Sequence, residues 1–351
     1  MTVKRLLLGV SLLIFVFGLS GCFKGEQAME EIDIPEDISV IDESELEEEP
    51  EESEIEVSET DQMIERTLYV LDADGLVVPQ TFEIPKTAGA AFQALQYLVK
   101  DGPVTELLPN GFQAVLPAGT EILGTNLTDE GTLTIDVSAE FKEYEAQDEV
   151  PMLEAITHTM TQFDEVEKIK LRIEGEDQAA MPVNGTPIEN GYSKNNGINI
   201  FVDEQPSLKE NKMVTFFYPK QHNENTYFVP VSTFINETDE VHEKTVATLL
   251  KGAPYEFGAL QVFNDDVSLA DKAVLQDGVL QLMFNESILK SKDEPVIADE
   301  VMETLVRSLT EKGMIDAIDV QVENVQTIEN EAGEVYAEPV QVSDFGTMEK
   351  M

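Results

Sequence analysis

Residues able to do chemistry are few in this chain, and the most telling is a lone thiol. Cys22 is the only cysteine among 351 residues and ends the run Leu19-Ser20-Gly21-Cys22. Lys4 and Arg5 precede an apolar stretch from Leu6 to Phe17, and small residues then lead to the thiol. A charged start, a short apolar stretch and a small-residue exit are the three parts of a secretory signal. A membrane span would need about 20 apolar residues. His158, His222 and His242 read as lying inside a helix, in a hairpin loop and at a helix start, each standing alone. Nucleophilic catalysis needs a nucleophile, a base and an orienting group within hydrogen-bond reach, and no G-x-S-x-G run is present. Glu140 and Glu286 follow matching strands and are the best pair for glycan hydrolysis, which needs one carboxyl raised by burial. Both read more simply as first-turn acids favoured by a helix dipole. Asp72-Ala73-Asp74-Gly75 opens like a calcium loop but lacks the bidentate glutamate, so a hairpin turn is the simpler reading. Glu174-Gly175-Glu176-Asp177 is a second acidic turn where incidental calcium could sit; no cofactor is expected otherwise.

Charge excludes more than it suggests. The net charge is −48, and 19 of the 70 acidic residues fall in residues 24–65, where Lys24 is the single base. The remainder still carries 51 acids against 21 bases. Such a surface repels phosphate backbones and anionic headgroups, so no nucleic-acid partner is expected. Residues 22–65 read as an acidic disordered tether, with little in Asp42–Asp61 able to build a core. Its 24–65 portion can span at most roughly 140–150 Å. One cysteine allows no internal disulfide, so stability must come from burial, which 42% hydrophobic content can supply.

From Arg66 onward the chain repeats itself at offsets of 147 to 151 residues. Each unit opens with two strand-like stretches: Thr67–Leu71 and Val77–Ile84, then Met213–Tyr218 and Tyr227–Ile235. A helix follows, marked by Ala91, Leu95 and Leu98 in one unit and Val241, Thr245 and Leu249 in the other. Gly102-Pro103 and Gly252-Ala253-Pro254 terminate these helices. Strand pairs around Gly131 and Gly278 come next, then helices carrying Leu153, Ile156, Met160 and Phe163, or Ile297, Val301, Leu305 and Leu309. Thr161 and Thr310 occupy one point of these helices, and Ile169–Ile173 and Ile318–Val322 close the units. The fold class is therefore α+β, sandwich-like: two tandem α–β–β–α–β modules, each with a leading β-hairpin. The expected boundaries are 1–21 signal peptide, 22–65 tether, 66–190 first domain, 191–211 polar linker, 212–342 second domain and 343–351 frayed tail.

Two resemblances add to this. Leu19-Ser20-Gly21-Cys22 resembles the lipobox of bacterial lipoproteins, which implies cleavage before Cys22 and a diacylglycerol on its thiol. Two acyl chains hold a protein on a membrane stably where one does not. Leu107-Leu108-Pro109-Asn110-Gly111-Phe112-Gln113-Ala114-Val115-Leu116-Pro117, the helix end at Gly102-Pro103 and the duplication after an acidic linker resemble the GerMN family of sporulation and spore germination proteins. The first unit matches well; in the second, Phe257–Val262 replaces the longer proline-bounded stretch. The resemblance implies a small core similar to ring-building modules. It further implies an extracytoplasmic lipoprotein of the mother cell–forespore space, with the proteins of the channel complex as partners and an oligomer or ring as a possible state. Three functions follow as expectations: a non-catalytic, membrane-anchored assembly protein; an envelope enzyme acting on peptidoglycan through Glu140 and Glu286; or a small-ligand or calcium-binding lipoprotein.

Overall fold

Alternating and continuous apolar runs build two copies of one unit, seen in a computed structural model that describes residues 62–202, 211–236, 240–291, 294–311 and 313–350. The signal peptide, Leu19, Ser20, Gly21, Cys22 and the tether up to residue 61 lie outside the described residues. In the first unit, β1 (Met63–Leu71) and β2 (Val77–Pro85) form an antiparallel hairpin, followed by α1 (Ala90–Tyr97), β3 (Ile122–Leu127), β4 (Thr132–Val137), α2 (Glu149–Met160) and β5 (Lys168–Ile173). Two short strands, β6 (Glu176–Asp177) and β7 (Tyr192–Ser193), add to β5. The second unit repeats the order with β8 (Asn211–His222), β9 (Asn225–Asn236), α3 (Val241–Leu250), β10 (Val274–Gln276), β11 (Val279–Phe284), α4 (Asp299–Thr310) and β12 (Ala317–Val322). A last strand, β13 (Glu349–Lys350), pairs with β9. The α+β class and the tandem α–β–β–α–β order are as the sequence predicts.

Matching contacts recur in the two units. β3–β4 and β10–β11 are antiparallel, while β4–β5 and β11–β12 are parallel across the second helix. Gly131 and Gly278 take φ of 72° and 81°, and each carbonyl accepts two N–H groups from the start of its closing strand. Left-handed backbone is the reason glycine stands at both turns. Thr159 Oγ1 accepts from Tyr69 N–H and Ser308 Oγ from Phe217 N–H, both at 2.9 Å, tying helix to hairpin in the same way. Thr161 and Thr310 each donate to the carbonyl four residues earlier.

The structure shifts three boundaries. β1 starts at Met63, so the last residues assigned to the tether already pair with β2. The segment expected as a polar linker buries Tyr192 and Ile198, because backbone left open on β5 and β9 pairs with it. The tail is not frayed from 343: Phe228 N–H donates to Met348 O, and Arg307 Nη2 donates to Gly346 O and Thr347 O. The buried guanidinium of Arg307 finds its acceptors there.

Candidate interaction interface

The residues that meet where the two units join are hairpin residues, because both hairpins are too apolar to face water. Val214 to Lys220 are buried without a break, so β8 is covered on both faces. α4 packs on this hairpin, and β9 lies against β2 of the first unit. The described residues accordingly form one compact unit.

At the join, Asp72 and Lys220 are counterparts, since the offset that equates Tyr69 with Phe217 equates these two as well. They bind each other directly. Lys220 Nζ lies 2.8 Å from Asp72 Oδ2, with side-chain exposures of 4% and 0%. Tyr227 Oη donates to the same oxygen at 2.9 Å. Asp72 Oδ1 accepts from the N–H groups of Asp74 and Leu76, which shapes the hairpin turn. Asp74 completes the cage at 2.6 Å from Lys220 Nζ, and that ammonium holds its carboxyl below the usual range. Burial, reinforced by Asp72, pushes the Tyr227 phenol up. Thus the turn that opens like a calcium loop already encloses a cation, the Lys220 ammonium.

Flanking contacts repeat about the same centre. Gln113 N–H donates to Leu71 O in one unit, and Leu260 N–H donates to Pro219 O in the other. Gly111 approaches His222, while Gly258 approaches Asp74, its counterpart contact. Phe112 stacks edge-on against Tyr227 at 5.1 Å and leaves His222 half-buried. Equivalent positions that meet each other define a pseudo-twofold, isologous contact. Two returning segments seal it. Asn199 donates to Val77 O and Pro230 O and accepts from Val77 N–H, stitching β2 to β9. The tail, its counterpart after the second unit, runs along β9 through Phe228 and β13.

Each second helix carries a polar pair that anchors its returning segment. Glu154 and His158 in α2 correspond to Glu303 and Arg307 in α4. Glu154 Oε2 accepts from Asn199 N–H at 3.1 Å. Burial raises its carboxyl to about 7. His158 is pushed down to about 3 by burial, with Lys194 adding to the effect, so it is neutral at physiological pH and packs on Tyr69 at 5.1 Å. Glu303 binds Arg307 at 2.7 Å with 0% and 3% side-chain exposure, and the guanidinium lies over Phe228. Sequence reasoning missed these four residues as a set; their common spacing of four at one point of the duplicated helix was the available signal.

The acids considered for glycan hydrolysis stand apart from this set. Glu140 and Glu286 are exposed in the first turns of the 3-10 helices Ala139–Lys142 and Glu286–Ile288. A hydrogen bond from Ser138 lowers the Glu140 carboxyl, the opposite of what a general acid requires. Glu286 accepts from Asn324 Nδ2. His242 is half-buried at the start of α3. The raised carboxyl, Glu154, is committed to the chain's own backbone inside the core. Among the described residues no three His, Cys, Asp or Glu side chains converge as a metal cage, and no helix is long and apolar enough to cross a membrane.

Known proteins share this tandem fold. The family described as Germane: Sporulation and spore germination matches residues 67–179 and 214–327. The spore germination protein GerM of Bacillus subtilis (strain 168) is 37% identical over 349 residues, covering 95% of each chain. The solved tandem GerMN domains of the sporulation protein GerM from Bacillus subtilis superpose with a TM-score of 0.74 at 38% identity, across 80% of this chain and 97% of that one.

Proposed function

Since the chain belongs to the sporulation and spore germination family, we propose that it is a non-catalytic assembly protein held on the outer face of a membrane by a lipid on Cys22. In this reading the two domains bind envelope proteins of the channel complex in the space between mother cell and forespore. The tether sets their reach, and confinement to a surface raises their effective concentration for a partner there. The observation that carries the reading is where the buried polar chemistry goes. Asp72, Lys220, Tyr227, Glu154 and Arg307 each hold one part of the chain to another, and Glu303 pairs with the Arg307 guanidinium within α4. Family membership supplies the sporulation context.

A sporulating strain tests it. Cys22→Ala is expected to release the protein from the membrane fraction and to lower heat-resistant spore yield. Chemical crosslinking and pull-down of the unaltered protein are expected to recover envelope proteins. The double variant Glu140→Gln/Glu286→Gln is expected to sporulate like the parent. If that double variant is as defective as Cys22→Ala while remaining folded, an envelope hydrolase replaces the assembly protein.

A further inference from the structure

The second domain lacks bulk that its sibling has. In the first domain Met181, Ile188, Tyr192 and Ile198 are all buried. Shared backbone bonds identify their counterparts. Met181 N–H donates to Thr186 O as Asn330 N–H does to Glu334 O, and Ile188 N–H donates to Ala179 O as Tyr336 N–H does to Ile328 O. Tyr192 bridges Ile169 as Val340 bridges Ile318. The capping boxes Ser193–Asn196 and Gln341–Asp344 then equate Ile198 with Gly346. Asn330, Val340 and Gly346 are smaller or more polar than the residues they replace, and Tyr336 is left half-buried. All four line a cleft of about 640 Å³ between α4, the turn at 330–334 and the tail. A Cβ at Gly346 would meet no atom within 4 Å.

The charge of this cleft is not compensated. Asp299, Glu303, Glu334, Glu338 and Asp344 line it, with no lysine or arginine among the lining residues. Glu303 is neutralised by Arg307. Among the described residues the other four make no ion pair. Asp299 and Asp344 each accept one backbone N–H, from Glu331 and Gln341, and Glu334 accepts from Asn330 Nδ2. The second oxygen of each stays open. Their field registers on Tyr336, whose phenol is pushed up to about 12 by burial, with Asp299, Glu331 and Glu334 adding to it. The carboxylates are spread around the walls, and among the described residues no three converge as a metal cage. That spacing suits an elongated cation with an apolar stem better than a point ion.

We propose that this cleft docks an arginine-bearing segment of a partner protein. The aliphatic stem lies against the rings of Tyr336 and Phe345, both in the lining, and the guanidinium pairs with the open carboxylate oxygens. Arginine offers a flat, weakly hydrated fork that stacks on an aromatic ring and matches a carboxylate. A second copy of this chain, with net charge −48, carries the wrong sign for the site.

The inference rests on the assembly reading, but its test uses purified protein and can fail while that reading stands in sporulating cells. A labelled peptide Ser-Arg-Leu-Arg-Ser is titrated into the full-length protein in detergent at about 0.15 M salt, which screens diffuse attraction to acids beyond about 8 Å. Fluorescence anisotropy is expected to report saturable binding, and hydrogen exchange is expected to slow within residues 330–346. Gly346 lies outside the left-handed region, so Gly346→Leu fills the cleft with no change of net charge. It is expected to weaken binding at least about tenfold. Where thermal unfolding shows that this variant fails to fold, Glu338→Lys decides against Glu106→Lys, an exposed acid of the first domain. Only the former is expected to weaken binding at least about tenfold. No saturable binding, binding unchanged in folded Gly346→Leu, or an equal effect of the two lysine variants overturns the proposal.

Discussion

Glu154 gives the protein a stability that depends on pH in a direction uncommon for carboxylates. Burial raises its folded value to about 7, whereas an exposed glutamate titrates near 4.5. The folded state therefore binds more protons than the unfolded state between these values, and stability falls as pH rises through that window. Glu154→Gln keeps an acceptor for Asn199 N–H and removes the charge. It is expected to stabilise the protein at pH 8 by up to about 3 kcal/mol and to change little at pH 4, measured by urea unfolding. His158 acts oppositely: with its folded value near 3, its contribution is lost as pH falls below about 6.5. The two slopes cancel in part between about pH 4.5 and 6.5, so the single variant separates them. Asp72 and Lys220 make a second residue-scale case. Lys220→Met leaves a buried carboxylate without its cation and is expected to cost about 3–5 kcal/mol. Adding Asp72→Asn, which keeps the turn acceptor but not the charge, is expected to recover part of that loss in a double-mutant cycle.

At the scale of elements, the returning segments matter more than their length suggests. Removing residues 345–350 strips Arg307 of two carbonyl acceptors and uncovers the edge of β9. That truncation is expected to cost about 3–6 kcal/mol in chemical denaturation, since two bonds to a buried charge are lost and each is worth about 1.5–3 kcal/mol. The core elements themselves were legible. Helical spacing at Leu153, Ile156 and Met160, and glycines at 131 and 278, led to the right order of helices and strands. Hairpin length was understated because polar residues at the strand ends, such as Gln221 and Asn225, remain in register at the far end of the β8–β9 ladder. Unbroken burial along β8 was foreshadowed by Val214-Thr215-Phe216-Phe217-Tyr218, which lacks the alternation of a one-sided strand. The packing of the linker and tail was not legible for a different reason. Their composition is polar, yet they are held by backbone bonds and by Asn199, and such bonds leave no hydrophobic pattern to read. Lys220 was invisible as a partner of Asp72 for the same reason: the contact spans 148 residues and exists only once the two hairpins face each other.

For the molecule as a whole, the pseudo-twofold makes one chain behave as a covalent dimer of similar modules. Isologous contacts close on themselves, whereas head-to-tail contacts propagate. Here the hairpin faces are spent on each other, with Asp72 and Lys220 at the centre and Asn199 and the tail on either side. A duplicated module that clasps its own sibling has no free valence on that side. Chain growth through the hairpin faces is thereby terminated at two, and any further contact would have to be laid onto the outward flanks, like beams fixed to a bracket already bolted shut.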